Sequence, residues 1–153
     1  MKHLLIVFHS QSGSTELLAR AVLRGARRET DIETRLLRAV DATTADLLWA
    51  DAVLFGSPEN FGYLSGGLTD FLARTFYPYQ QLAPGRLLPY AMFSSTGNDG
   101  RGAVTQLQRI VVGYPMREVT EPIIVRGEVD ALALQRCEEL GQTLAAGLSL
   151  GIF

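Results

Sequence analysis

The chain has 153 residues, 47% of them apolar and 20% charged, with a formal net charge of −2. That length supports one domain with a substantial core, spanning residues 1–153. The balance excludes a disordered chain and the basic footprint of a nucleic-acid or anionic-membrane binder. One cysteine excludes an internal disulfide and a Cys-based metal cluster, and His3 and His9 lack the spacing of a metal pair. No metal is expected. The chain begins a strand at once, without a signal-peptide pattern, and no apolar run reaches membrane-spanning length. The expectation is a cytoplasmic protein with no membrane span.

Lys2 to Phe8 is a continuous apolar run, as a strand covered on both faces requires. His9-Ser10-Gln11-Ser12-Gly13-Ser14-Thr15 follows it, and a helical pattern then runs from Thr15 to about Arg28. Leu18, Ala19, Val22 and Ala26 mark its inner face. A second strand is expected over Ile32–Val40. Its Glu33, Arg35 and Arg38 suit a sheet edge. A short helix over Asp41–Trp49 has Thr43 or Thr44 as its cap. Asp51–Gly56 reads as a third, buried strand.

Ser57 to Gly67 reads as a long loop, ending where a helix starts with Leu64, Leu68, Phe71, Leu72 and Thr75 inward. Phe76 to Gly85 reads as an aromatic, proline-bearing connection. Leu87–Phe93 is the fourth strand, and Ser94 to Gly100 the third polar loop. A helix is expected from about Gly102 to Val112. Met116–Val125 contains a fifth strand limited by Pro122. A last helix spans Asp130–Leu148 and places Cys137 on its inner face as a small buried hydrophobe. Strands and helices alternate five times, which specifies a parallel sheet with helices on both faces.

The loops after the first, third and fourth strands are chemically unusual. In strand order 2-1-3-4-5 those strands are neighbours, and their loops converge outside the carboxyl ends. The first loop is an anion-binding device: orphan N–H groups at a helix start, hydroxyls, and Gly13 for a tight turn. It carries no lysine and no Walker ending, so it suits a phosphate held in place and not one transferred. The other two loops offer backbone groups and Phe61 to a flat heteroaromatic ring. None supplies an acid–base pair or an activated nucleophile, so no side chain is assigned as catalytic and the hard chemistry belongs to a cofactor.

Ser10-Gln11-Ser12-Gly13-Ser14-Thr15 resembles the phosphate loop of flavodoxin-like proteins. Gly56-Ser57-Pro58-Glu59-Asn60-Phe61-Gly62-Tyr63-Leu64-Ser65-Gly66 is similar to the second flavin loop of quinone-reductase-like (WrbA-like) members of that fold, and Ser94-Ser95-Thr96-Gly97 to the third. The resemblance spans the chain. It implies an α/β three-layer flavodoxin-like sandwich with a five-stranded parallel sheet, and non-covalent FMN. By position, Ser10, Gln11, Ser12, Gly13, Ser14 and Thr15 would hold the phosphate. Pro58, Asn60, Phe61 and Gly62 would line the N5 side of the ring. Ser95, Thr96, Gly97 and Asn98 would face its pyrimidine edge.

The implied function is an FMN oxidoreductase moving electrons from NAD(P)H to a quinone or similar small acceptor. The alternative is a flavodoxin-type electron carrier serving a redox partner protein. Asn98-Asp99-Gly100 lacks the Tyr that covers the outer flavin face in typical carriers, and the net charge is only −2, which favours substrate access. A receiver domain on the same fold would need an Asp at the third strand end, where this chain has Gly56-Ser57-Pro58.

Several single residues need a reading of their own. His9 approaches the ligand or closes a strand end. Arg101 attracts nicotinamide phosphates, steadies a reduced flavin, or is solvated. Glu59 and Asp99 read as solvated loop charges. Tyr77 and Tyr79 suit a lid or a subunit contact, and a homo-oligomer stays open. The apolar end, Leu148 to Phe153, is expected to pack on its own core.

Overall fold

The computed structural model describes all 153 residues. Five consecutive residues of β1 (Lys2–Phe8), Leu4 to Phe8, are buried, so this strand needs a neighbour on each edge and cover on each face. It has both. β2 (Ile32–Arg38) pairs with it in parallel on one side and β3 (Ala52–Asn60) on the other. The hairpin partner β4 (Tyr63–Leu64) extends β3 alone. β5 (Leu88–Thr96) lies beyond β3. Two short strands, β6 (Met116–Glu118) and β7 (Ile123–Arg126), share the outermost place, both parallel to β5. The parallel order is β2-β1-β3-β5-β6, with β7 also paired to β5; leaving out β4 and counting β6 and β7 as one strand, this is the expected order 2-1-3-4-5.

The period-two alternation of β1 divides the core. Leu4, Ile6 and Phe8 face α1 (Ser14–Ala26) and α5 (Ala131–Ser149), packing with Leu18, Val22, Leu140 and Leu144. Leu5 and Val7 face α2 (Thr44–Trp49), α3 (Gly66–Leu82) and α4 (Arg101–Val111), packing with Leu47, Phe71 and Leu107. Each such side chain contributes about 1.5–3 kcal/mol by burial. The fold is a three-layer α/β flavodoxin-like sandwich.

Several boundaries differ from the sequence reading. β3 runs on through Ser57–Asn60, because Ser57 and Pro58 pair with Ser94 and Ser95 while Glu59 and Asn60 pair with β4. β5 likewise absorbs Ser94–Thr96, paired to Ile124, Val125 and Arg126. β2 ends at Arg38, and α2 begins only at Thr44. Thr43 is its cap, with Asp46 reaching back to the Thr43 N–H at 2.8 Å. The connection expected over Phe76–Gly85 is helical as far as Leu82. Pro78 sits inside α3, where its ring forfeits one helical hydrogen bond. The burial of Tyr79 against Tyr114 carries the helix past it. Tyr79 therefore belongs to the core and is neither lid nor subunit contact. The fifth strand breaks around Pro122 into β6 and β7. At the C-terminus Phe153 packs on Gly147, while Leu150 and Ile152 are exposed.

Candidate functional site

β1, β3 and β5 are adjacent and parallel, so the segments after them meet at one end of the sheet. Side-chain hydrogen bonds then fasten these segments pairwise. Asn60 Nδ2 donates to Gln11 Oε1 at 2.6 Å, joining the first and second. Thr15 and Ser95 hydroxyls meet at 2.8 Å in the interior, joining the first and third. Thr96 Oγ1 donates to Glu59 Oε1 at 2.8 Å, joining the second and third.

The first segment is shaped by Ser10. Its hydroxyl accepts from the N–H groups of Gly13 at 3.2 Å and Glu16 at 3.3 Å, which bends the chain over the start of α1. Gly13 takes φ +102°, a conformation other residues rarely adopt, and a Cβ there would meet open space. Gly13, the residue before α1, has no side chain to cap it, and Ser10 takes up only the Glu16 N–H of the first turn. The N–H groups of Ser14 and Thr15 have no acceptor and sit at the positive end of the helix dipole.

The second segment is a hairpin. Phe61 and Gly62 both have positive φ, +53° and +75°, as a two-residue type I′ turn requires. That turn stands Phe61 clear of the protein, 95% exposed. Ser57 ties the hairpin to α3: its hydroxyl donates to the Pro58 carbonyl at 2.7 Å and accepts from Ser65 N at 3.1 Å.

Glu59 is the residue the sequence reading misplaced. It is not a solvated loop charge. Besides Thr96, its carboxylate accepts from the N–H groups of Gly100 at 3.3 Å, Gly102 at 3.1 Å and Ala103 at 3.4 Å. It thus caps α4 from another loop, satisfying N–H groups that have no helical partner. A cap supplied 40-odd residues upstream leaves no local spacing signal. The turn also lies directly on α4: a Cβ at residue 102 would stand 1.8 Å from the Gly62 carbonyl oxygen.

Two clefts flank the first segment. A cavity of about 260 Å³ is lined by Ser12, Ser14, Pro58, Glu59, Asn60, Ser95, Thr96, Gly97 and Gly127, so it draws on all three segments. A larger one, about 590 Å³, lies toward the end of β2 and is lined by His9 to Gly13, Glu16, Arg38 and Asp70. Of the three segments it draws on the first and, at the start of α3, on Gly67, with nothing from the third. The smaller cavity is where the chemistry converges.

Of the anticipated site residues, Ser12, Ser14, Pro58, Asn60, Ser95, Thr96 and Gly97 share that cavity. Ser10, Gln11 and Gly13 line the larger cleft across the same loop. Thr15 is buried beneath, its hydroxyl turned to Ser95. Gly62 faces a third groove, against α4. Asn98 is exposed, and its N–H donates to Thr96 Oγ1 at 2.9 Å. His9 packs on Gly67 at the start of α3, its main-chain N–H bonded to the Gly56 carbonyl at 3.0 Å, so it closes a strand end.

Comparison with known proteins gives the same fold and adds a lineage. The family model described as NADPH-dependent FMN reductase matches residues 38–129. A flavodoxin of Aquifex aeolicus is 32% identical over 102 residues, covering 67% of this chain and 54% of that protein. An NAD(P)H dehydrogenase (quinone) of Acidithiobacillus ferrooxidans is 29% identical over 129 residues, covering 70% and 63%. The chain thus spans less than two thirds of either relative's length. The crystal structure of a flavodoxin, WrbA-like protein from Agrobacterium tumefaciens superposes with a TM-score of 0.79 at 20% identity, over 98% of this chain and 99% of that one. The chain belongs to the NADPH-dependent FMN reductase family of flavodoxin-like, flavin-binding proteins.

Proposed function

We propose that this chain holds FMN without a covalent bond and moves electrons from NADPH or NADH to a quinone or similar small acceptor. One observation carries the reading: three polar segments, fastened to one another by side-chain hydrogen bonds, line one open cleft at the carboxyl ends of adjacent strands.

The donor set fits the cofactor. A phosphate needs N–H and O–H donors with room for close approach. The unpaired N–H groups of Ser14 and Thr15, the hydroxyls of Ser12 and Ser14, and the open space at Gly13 supply these. Ser10 and Gln11 act by shaping the loop, and Thr15 by fixing its floor to Ser95. Pro58 and Asn60 form the cavity wall for the N5 side, with Gly62 behind them in the turn that rests on α4. Phe61, bare at the turn, is free to cover an aromatic ring. Ser95, Thr96, Gly97 and Asn98 offer main-chain and hydroxyl groups to the pyrimidine edge. When bound, FMN supplies the redox centre that no side chain here provides. The protein's part is to orient it, exclude water from its inner face and set which redox state is favoured.

The carrier reading is supported by the likeness to a flavodoxin. The third segment favours turnover instead, since Gly97, Asn98 and Asp99 are small or polar, exposed, and leave the outer face open. Steady-state oxidation of NADPH and NADH with a quinone by FMN-loaded protein separates the two. Multiple turnovers support the oxidoreductase. Reduction only through a partner reductase supports the carrier.

A further inference from the structure

We propose that the groove between β4 and the outer face of α4 receives the phosphate-bearing half of the nicotinamide donor, with Arg109 reading the 2′-phosphate that distinguishes NADPH from NADH. This rests on the FMN reading above. The groove, about 380 Å³, is lined by Tyr63, Arg101, Thr105, Gln106 and Arg109, with Gly62 and Gly102 at its near end. Gly62 belongs to the turn of the second segment and Gly102 to the first turn of α4, where its N–H is held by Glu59 of the candidate flavin cavity, so the groove starts behind one wall of that cavity.

Its walls are fixed. Gln106 Oε1 accepts the Leu64 N–H at 2.5 Å, and Glu59 holds the first turn of α4. Its charge is unspent. Arg20, Arg24, Arg28, Arg35, Arg38, Arg74 and Arg86 each have a carboxylate within 4.0 Å; Arg101 and Arg109 have none, like Arg27, Arg117, Arg126 and Arg136, and of these they are the pair that lines this groove. The nearby acids are engaged elsewhere: Glu59 by four donors, and Asp99 by the Arg101 N–H at 3.0 Å.

Residues 101, 105 and 109 share one helix face, and the two arginines are separated by roughly 12 Å along the axis. A ligand with one phosphate uses one of them. A ligand with two separated phosphoryl centres, a pyrophosphate and a 2′-phosphate, uses both. The guanidinium fork matches phosphate oxygens in pairs. Tyr63, 59% exposed, adds a flat face for a purine. Arg101, nearer the cavity, faces the pyrophosphate. Arg109, two turns farther, faces the 2′-phosphate.

The test uses the full chain with FMN added. Binding of adenosine 2′,5′-bisphosphate and of 5′-AMP is measured by calorimetry, and kcat/KM for NADPH and NADH by steady-state kinetics. Wild type should bind the bisphosphate at least about tenfold more tightly. Arg109→Ala should erase that preference and cut the NADPH-to-NADH ratio of kcat/KM at least about tenfold, while Arg101→Ala weakens both ligands. Equal affinity of wild type for the two ligands, or an unchanged ratio in Arg109→Ala, overturns the assignment. A chain that takes up no FMN yet prefers the bisphosphate refutes the flavin reading and supports the groove. A chain that takes up FMN without that preference refutes the groove alone.

Discussion

Thr96 Oγ1 donates to Glu59 Oε1 at 2.8 Å across 37 residues of sequence, and the same carboxylate receives three N–H groups around the start of α4. One side chain therefore sets the spacing between the second and third loops and the seat of the helix behind them. Glu59→Gln keeps the shape and removes the charge. It should lower stability by about 1 kcal/mol, the worth of an anion at a helix N-terminus. Glu59→Ala leaves several donors unmet and should cost about 1–3 kcal/mol. Urea unfolding midpoints check both values.

Gly102→Ala should be as damaging as a core substitution. Its Cβ would overlap the Gly62 carbonyl, and that neighbour is backbone, so the hairpin itself must shift. A loss of about 1–3 kcal/mol is expected, with weaker flavin binding because the turn carrying Phe61 is displaced. Thermal unfolding and flavin titration of the same variant measure the two effects.

Gly13→Val tests the phosphate loop. In the free protein the new side chain meets nothing, so the stability cost is that of a left-handed residue, about 1–2 kcal/mol. Its β-branch would fill the space through which a phosphate approaches. The expected outcome is a folded protein, by far-ultraviolet circular dichroism, that no longer retains FMN on a desalting column.

The sequence displays the parts of this fold that burial dictates. Leu4 to Phe8 can only be a central strand, and Leu18, Val22 and Ala26 can only be the inner face of a helix, so strand order and layers follow. What it conceals depends on partners distant in the chain. Ser57 to Asn60 and Ser94 to Thr96 are polar and read as loop, yet both are strand: Ser57 and Pro58 pair with Ser94 and Ser95, Glu59 and Asn60 with β4, and Thr96 with Arg126. Pro78 reads as a helix stop, yet the buried ring of Tyr79 carries α3 beyond it. Three cavity segments were legible as motifs, because Gly and hydroxyl residues cluster at strand ends. Their mutual fastening through Glu59 was not, since a lone loop glutamate is ordinarily solvated.

Cys137 lies buried on α5, and burial pushes its thiol up to about 11. Because the folded value is raised, the neutral thiol is retained below the unfolded value near 9, and its stabilising share is lost as pH rises through the folded one. A thiol reagent at pH 8 should leave the native protein unlabelled and react fully in denaturant. The thermal midpoint should fall between pH 9 and 11 by less in Cys137→Ala than in wild type.

The most direct measurement is titration of the purified chain into FMN, followed by flavin fluorescence and visible absorbance. Saturation at one FMN per chain, with a dissociation constant on the order of 1 µM or below and loss of that binding in Gly13→Val, is the predicted result. Fluorescence that stays unchanged in the presence of excess protein would contradict the assignment of the three-loop cavity.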